Sequence, residues 1–165
     1  LYAWHLGTMA GPALTDLILG NVAPSGKLPL TFLRASGQIP LYYNKKNGGR
    51  PNNTHEYIPF TSSYIDIDST PLFPYGFGLS YTIFSYSNFK LSRTSFSFGE
   101  SILVTATVKN KDQRKLIKSI PIYKDLFGSY TRPVKELKDF YRITLAGGQS
   151  TTVSFAINSD MLRFW

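Results

Sequence analysis

The sequence predicts an α/β segment followed by an all-β sandwich, and three observations carry this prediction. A helical period of apolar residues occurs once, between Ala10 and Ile18, in a part of the chain that is rich in Gly, Pro and Asn. Beyond Tyr81 apolar residues recur at every second position, as in half-buried strands. Between the two patterns lies Pro71–Tyr81 (PLFPYGFGLSY), whose prolines and glycines exclude a helix interior. We interpret this joint segment as a rigid, apolar connection.

The composition is that of a globular protein. The chain has 165 residues, of which 42% are hydrophobic, 15% aromatic and 17% charged, so a disordered tail is excluded. A chain of this length buries one good core or two small ones, so a two-part chain implies that one part depends on a neighbour. We therefore expect the isolated chain to be marginally stable.

The formal net charge of +8 raises the question of nucleic acid. No basic cluster forms a helix face, and no aromatic RNA-binding strand motif occurs. We predict no nucleic-acid partner; solvated loops explain the charge, and association with an anionic polysaccharide or a cell surface is a second interpretation. The scattered basic groups are Lys45, Lys46 and Arg50, then Arg114, Lys115 and Lys118, then Lys135, Lys138 and Arg142.

Membrane, targeting and metal signals are missing from the sequence. No apolar run has the length of a membrane span, and Leu1–His5 lacks the basic and hydrophobic regions of a signal peptide. The chain does not begin with Met, so we expect it to be cut from something longer. Without Cys, and with only His5 and His55 as imidazoles, a zinc site has too few ligands. We predict no metal site and no cofactor.

The first elements are predicted to be a strand, a loop and a helix. Leu1–Trp4 resembles the end of a buried strand, and His5–Thr8 resembles the loop that follows it. In the helix Pro12 is tolerable in the first turn, and Gly20 suits the C-terminal cap. With a second strand downstream, this unit belongs in an α/β sheet.

That second strand is predicted over Lys27–Phe32, where Pro29 limits it to a sheet edge or a strand start. The preceding Pro24-Ser25-Gly26-Lys27-Leu28-Pro29 lacks the spacing of a phosphate-binding loop, and its prolines remove backbone donors. We interpret it as a tight turn with Lys27 exposed.

The second half is predicted to be an antiparallel sandwich. Phe84–Leu91 is a strand with a slip of register at Ser87-Asn88, which indicates a bulge, and Ile102–Val108 is a strand with one apolar face. The remaining predicted strands are Ile120–Tyr123, Val134–Leu137, Phe140–Leu145 and, after a turn at Gly147-Gly148, Val153–Ile157.

Four ordered blocks give the chain a specific resemblance. It resembles the end of the second, α/β domain of family 3 glycoside hydrolases, the β-glucosidase and β-xylosidase group, followed by a fibronectin type III-like domain. The resemblance implies one domain over residues 1–81 and a second, lacking its last strands, over residues 82–165. The blocks are Ala3–Phe32, Gly37–Pro51, Ser63–Thr82 and Asp125–Phe155.

The resemblance implies the C-terminal fragment of a retaining, β-glucosidase-type enzyme, periplasmic or secreted, whose substrate is an oligo- or polysaccharide. In the family the nucleophile is an Asp of an N-terminal (β/α) barrel, and the acid/base Glu comes from an earlier loop of the α/β domain. Neither segment is present, so we assign no catalytic residue and expect the chain alone to be inactive. The missing barrel is the implied partner. The alternative is a non-catalytic accessory module that binds carbohydrate or protein through exposed Tyr and Trp, although Tyr42, Tyr43 and Tyr57 are as easily packed under the loop.

Candidate substrate contacts lie where α/β sheets bind ligands, beyond the carboxyl ends of strands. Here that region is His5–Met9, and His5 and Thr8 are the candidates for contact with sugar hydroxyls. Each has a structural alternative: a packed or surface imidazole for His5 and a helix cap for Thr8. Asp66 and Asp68 have the spacing of one strand face, for which the ordinary explanation is a solvated strand edge. A retaining pair needs carboxyl groups about 5 Å apart.

Several positions depart from the family pattern. Asn110-Lys111-Asp112 stands where Asn-Thr-Gly is usual, Pro121 falls within a strand, and Asp139 replaces a Gly. These departures put the local strand pairing in doubt, because Pro cannot donate to a ladder. The sequence stops at Leu162–Trp165, where the family continues, so we expect an unpaired, partly apolar sheet edge.

Overall fold

The computed structural model describes residues 1–52, 56–124 and 131–163. A helix comes first and a run of strands follows, which confirms the predicted fold class. Within the described ranges, no helix has the length and apolarity that crossing a membrane requires. The elements are α1 (Ala10–Ile18), β1 (Phe84–Leu91), β2 (Ser101–Asn110), β3 (Leu116–Lys124), β4 (Glu136–Leu145) and β5 (Ser150–Asn158), with short 3-10 turns at Ser36–Gln38 and Asp160–Leu162.

The second half is a sandwich of two antiparallel sheets. One has the strand order β1-β2-β5, and the other consists of β3 and β4. Inward side chains at alternate positions of β2 and β5 pack against those of β3 and β4 and form the core. The buried core residues are Ala106, Val108, Ile120, Ile143, Leu145, Val153 and Phe155.

The predicted bulge in β1 is confirmed. Ser87 pairs with Thr107, but the next pair joins Lys90 to Thr105, and Asn88 between them has a φ of 53°. The turn before β5 is confirmed as well, because Gly148 adopts a φ of 72°. Both features are local, and the sequence marks them by a slip of period and by paired glycines.

The predicted break within the fourth strand is wrong. Val134–Leu137 and Phe140–Leu145 were expected as separate strands, but β4 runs without interruption from Glu136 to Leu145. Its pairing with β3 shifts register once, between Ile122 and Tyr123, which leaves one extra residue in β4 and keeps the ladder continuous.

The pairing of β3 with β4 is also continuous at Pro121, so the expected disturbance of strand pairing at this proline does not occur. Pro121 pairs with Phe140, and in the described part of the chain β3 has no strand on its other side. A proline at such an edge removes no donor that a neighbouring strand needs. Among the described strands the sheets are not closed, and Phe89 (71%) and Phe140 (65%) are largely exposed.

In the first half, α1 is confirmed and both flanking strands are wrong. Gly20 has a φ of 77° and ends the helix as expected. Leu1–Trp4 forms no strand, and Trp4 has a φ of 52°, outside the extended region. In Lys27–Phe32 the ladder reduces to one bridge between Phe32 and Phe73. Among described residues, the neighbouring segment 72–77 forms backbone hydrogen bonds with Leu28 and Phe32 alone, so no continuous ladder develops.

The joint segment packs closely, as its glycines predict. Gly76 has a φ of 79°, and a Cβ there would lie 2.6 Å from the Tyr123 hydroxyl. At Gly78 a Cβ would lie 2.6 Å from the carbonyl oxygen of Gly26. The joint is therefore pressed against both the Pro-Ser-Gly-Lys-Leu-Pro turn and β3.

Lys27 is not exposed, which corrects the sequence prediction. It is half-buried, and its ammonium group donates a hydrogen bond to the carbonyl oxygen of Gly78. Burial, and secondarily the nearby charge of Lys118, lower the pKa of Lys27.

Candidate functional site

The loop before α1 is open to solvent. His5 and Thr8 are both exposed, which leaves contact with a ligand or a surface position as the interpretations of His5. The helix begins after Met9 without a side-chain hydrogen bond at its cap, so the capping role considered for Thr8 is not observed. The first turn is held by the backbone instead, because the Ala10 amide donates to the Gly7 carbonyl at 3.1 Å.

An aromatic cluster of Tyr2, Trp4 and Phe32 adjoins this loop. The Tyr2 ring lies edge-on to Trp4 at 4.6 Å and to Phe32 at 5.3 Å. Tyr2 is 60% and Trp4 is 51% exposed. Exposed aromatic faces next to polar side chains suit the stacking of apolar sugar faces, and they equally suit packing against another domain. This cluster was not predicted from the sequence, because Leu1–Trp4 was interpreted as a buried strand.

A concave region lies after the loop of Lys45 and Lys46. It is a shallow cleft of about 230 Å³, and its lining is mostly polar. The residues around it include Tyr57 and Tyr64, Asn52, and the acidic residues Glu56, Asp66 and Asp68.

The prediction of a strand edge at Asp66 and Asp68 is wrong. This segment has no strand structure, and both residues line the cleft. Asp68 accepts a hydrogen bond from the Thr70 amide at 2.8 Å and lies 4.0 Å from a guanidinium nitrogen of Arg34. Asp68 therefore stabilises its own turn, a structural task that competes with any catalytic one.

Gln38 holds one wall of the cleft, a role that no sequence pattern predicts. The side chain is fully buried. Its Oε1 accepts from the Arg34 amide at 2.7 Å, and its Nε2 donates to the Asp68 carbonyl at 2.9 Å and to the Thr70 carbonyl at 3.3 Å. A glutamine two positions before a proline resembles an ordinary loop residue, because the carbonyl groups to which it donates lie about thirty residues away along the chain.

The other wall is connected to the sandwich. The Ser62 amide donates to the Arg50 carbonyl at 2.8 Å, and Pro51 forms a bridge with Ser62. Further back in the same loop, the Val134 amide donates to the Lys45 carbonyl at 2.9 Å. The loop that leads into the cleft is therefore fixed at both ends by backbone hydrogen bonds.

The tyrosines of this loop differ in burial. Tyr42 (64%) and Tyr57 (54%) are exposed, so for these two the packed interpretation is wrong. Tyr43 is half-buried, and its ring stacks on Tyr75 with centroids 4.2 Å apart.

Two carboxylates outside the cleft are paired with arginines. Glu100 lies 3.0 Å from Arg93, and Asp112 lies 3.2 Å from Arg114. A backbone hydrogen bond from Ser97 and the Arg93 guanidinium lower the pKa of Glu100, and hydrogen bonds from Arg114 lower that of Asp112. A general acid needs the opposite shift. Asp125 and His55 lie outside the described residues, and within those residues no cluster of His, Asp and Glu is arranged to hold a metal ion.

Comparison with known sequences finds two family matches. Residues 1–81 match the glycosyl hydrolase family 3 C-terminal domain, and residues 123–165 match a fibronectin type III-like domain. A periplasmic β-glucosidase of Salmonella typhimurium is 42% identical over 100% of this chain and 22% of its own length. A putative β-xylosidase of Formosa agariphila is 39% identical over 99% of this chain and 20% of its own length.

Comparison with solved structures gives the same picture. A β-glucosidase from Listeria innocua, in complex with gluconolactone, has a TM-score of 0.88 and 38% identity over 96% of this chain and 22% of its own. The GH3 β-glucosidase of Bifidobacterium adolescentis has a TM-score of 0.73 and 26% identity over 98% of this chain and 24% of its own. The chain spans about a fifth of the length of the curated relatives it matches.

Proposed function

The chain belongs to glycoside hydrolase family 3, of which it covers the C-terminal region, and from this premise we propose that it is the C-terminal part of a retaining, β-glucosidase-type enzyme. The observation that carries the proposal is the alignment of the whole chain with 22% of a periplasmic β-glucosidase. The first domain extends to Tyr81 and the fibronectin type III-like domain begins at Thr82, directly after the joint segment.

The chain alone does not hydrolyse glycosides. Retaining hydrolysis needs a nucleophile and an acid/base whose environments push their pKa values apart. Glu100 and Asp112 are held ionised by arginines, and Asp68 is engaged in its own turn. The resemblance to the family implies that the two catalytic carboxylates come from an N-terminal barrel and from an earlier part of the α/β domain, which together would form the partner of this chain.

The share of this chain in the substrate site is the loop His5–Met9. His5 and Thr8 are exposed in the loop that follows Trp4, so an imidazole and a hydroxyl lie close in sequence to an exposed aromatic ring. That combination binds sugars through hydrogen bonds to hydroxyls and stacking on C–H faces. The substrate is a β-linked oligo- or polysaccharide, and the location is the periplasm or the medium, as the name of the Salmonella relative suggests.

The exposure of Tyr42 and Tyr57 supports a second candidate function. As an accessory module, the chain binds carbohydrate or another protein through these rings without cleaving a bond. The two functions make different predictions for the free chain, since only an accessory module is expected to be retained on insoluble glucan without the rest of the enzyme.

An aryl β-glucoside assay tests the main proposal. The purified chain is expected to give no turnover, and addition of the barrel segment encoded immediately upstream is expected to restore it. Turnover by the chain alone, or an upstream reading frame without a (β/α) barrel, contradicts the proposal. Pull-down on insoluble glucan distinguishes the accessory module, which is retained, from the enzyme fragment, which is not.

A further inference from the structure

The C-terminal end of α1 is held by two side chains from distant parts of the chain. The Tyr81 hydroxyl donates to the Leu17 carbonyl at 2.7 Å. The Arg114 Nη1 donates to the Gly20 carbonyl at 3.0 Å, although the two residues are 94 positions apart. The Leu17 carbonyl also accepts from the Gly20 amide at 3.2 Å, and the Gly20 carbonyl lies just beyond the end of the helix, so both side chains reinforce the turn that ends α1.

Arg114 is oriented by its own loop, between β2 and β3. Its Nε and Nη2 atoms each lie 3.2 Å from a different carboxylate oxygen of Asp112, a two-pronged pairing that fixes the guanidinium plane. The loop itself is ordered by Asn110, which is fully buried and donates to the Arg114 carbonyl at 2.8 Å while accepting from the Asp112 amide at 3.0 Å. The Nη1 atom is thereby left pointing at α1.

Packing alone does not hold this helix in place. No residue of α1 is buried, and Ile18 is 71% exposed. A positive charge at the C-terminal end of a helix is favourable, because the carbonyl dipoles point there. The polar contacts of Tyr81 and Arg114 thus supply an anchoring that most helices obtain from a hydrophobic face.

We propose that Arg114 is a positioning residue through which the β-sandwich sets the orientation of α1 and, through the first helical turn, of the loop His5–Met9. The consequence for α1 stands by itself. The consequence for sugar contact at His5 and Thr8 rests on the proposed function.

Amide hydrogen exchange of the 165-residue chain tests the proposal. The reporters are the amides of Leu19, Gly20 and Val22, which hydrogen-bond within the last turn. Arg114→Gln is expected to raise their exchange rates roughly three- to tenfold, the effect of losing one net hydrogen bond. The matched control is Arg93→Gln, which removes a similarly exposed Arg–carboxylate pair away from α1 and is expected to leave them unchanged.

The amides of β2 and β5 serve as the internal reference. Unchanged exchange at the end of α1 in Arg114→Gln, or an equal rise in the reference strands, overturns the proposal. Asp112→Asn keeps the guanidinium but loosens its orientation, so a smaller rise in the same amides is expected, and no rise counts against it. Glucose titration, followed at the amide signals of His5 and Thr8, separates the two claims. If these signals do not respond to glucose, the sugar contact alone is refuted. The positioning role of Arg114 is tested by the exchange rates at the end of α1.

Discussion

The ammonium group of Lys27 donates a hydrogen bond to the carbonyl oxygen of Gly78, which ties the Pro-Ser-Gly-Lys-Leu-Pro turn to the joint segment. The same ammonium group is half-buried, and its pKa is lowered by burial and secondarily by Lys118. Burial also lowers the pKa of Lys118. Two like charges are therefore partly desolvated where the halves of the chain meet.

The free energy of unfolding is predicted to rise with pH as the pH approaches 10.5, the ordinary pKa of lysine. Below that value the unfolded chain binds more protons than the folded one, so stability increases as the lysines deprotonate. The raised pKa of Tyr86, caused by burial, acts in the opposite sense, because its contribution is lost as the pH rises above 10.0. Urea denaturation across this range measures both effects.

Lys27→Met is predicted to reduce the slope with which the free energy of unfolding rises with pH below pH 10. It also lowers stability near pH 10 by about 1 kcal/mol, because the hydrogen bond to Gly78 is lost. Lys90→Met, at an exposed lysine of β1, is the control and should retain the full slope. An unchanged slope in Lys27→Met would show that this ammonium group is fully hydrated.

Gly76→Ala is predicted to destabilise the chain by about 2–3 kcal/mol. The left-handed backbone at a φ of 79° costs about 1–2 kcal/mol for a residue with a Cβ. Displacement of the Tyr123 hydroxyl, which lies 2.6 Å from the added Cβ, contributes about 1 kcal/mol more. The midpoint of urea unfolding reports the total.

Gly99→Ala is the matched control for this substitution. Gly99 has a φ of 87°, and a Cβ there meets nothing within 4 Å, so only the backbone strain should appear. Adding Tyr123→Phe to Gly76→Ala is expected to recover the difference between the two sites. Equal effects of the two alanines would mean that Tyr123 moves aside without cost.

Local patterns account for the features that the sequence predicted well. The helix is marked by apolar spacing between Ala10 and Ile18, and the β1 bulge by a slip of period at Ser87-Asn88. Such signals depend on neighbours a few positions away. The expected strands at Leu1–Trp4 and Lys27–Phe32 are wrong because a strand requires a continuous ladder with a partner, and in the described residues Lys27–Phe32 forms only a single bridge, at Phe32.

The burial of two polar side chains could not be predicted from the sequence. Gln38 and Asn110 have 0% exposure, although both residue types usually lie at surfaces. What makes their burial possible is a set of distant carbonyl groups, which no spacing rule reveals. The candidate contacts His5 and Thr8 stay predictions, because their exposure is compatible with ligand contact and does not establish it.

Asn110→Ala is predicted to destabilise the sandwich by about 2–3 kcal/mol. The side-chain amide donates to the carbonyls of Arg114, Leu145 and Ala146 at 2.8, 3.3 and 3.2 Å, so its removal leaves buried acceptors unpaired. Urea unfolding measures the loss. Asn21→Ala removes an exposed hydrogen bond to Asp16 and should lower the free energy of unfolding by less than about 0.5 kcal/mol, the usual effect of a surface substitution. Comparable losses at the two sites would refute the special role of Asn110.

Gln38→Leu is predicted to loosen the wall of the cleft more than it lowers global stability. Leucine nearly fills the space, but the carbonyl of Asp68 and the amide of Arg34 lose their buried partners, at about 1–3 kcal/mol. Gln38→Glu is the sharper variant, since its carboxylate still accepts from the Arg34 amide but cannot donate to the Asp68 carbonyl. In both variants amide exchange at Thr70, whose amide donates to the Asp68 carboxylate, should rise more than exchange in β5. Equal rises at the two places would show that Gln38 supports the whole fold and has no separate role at the cleft.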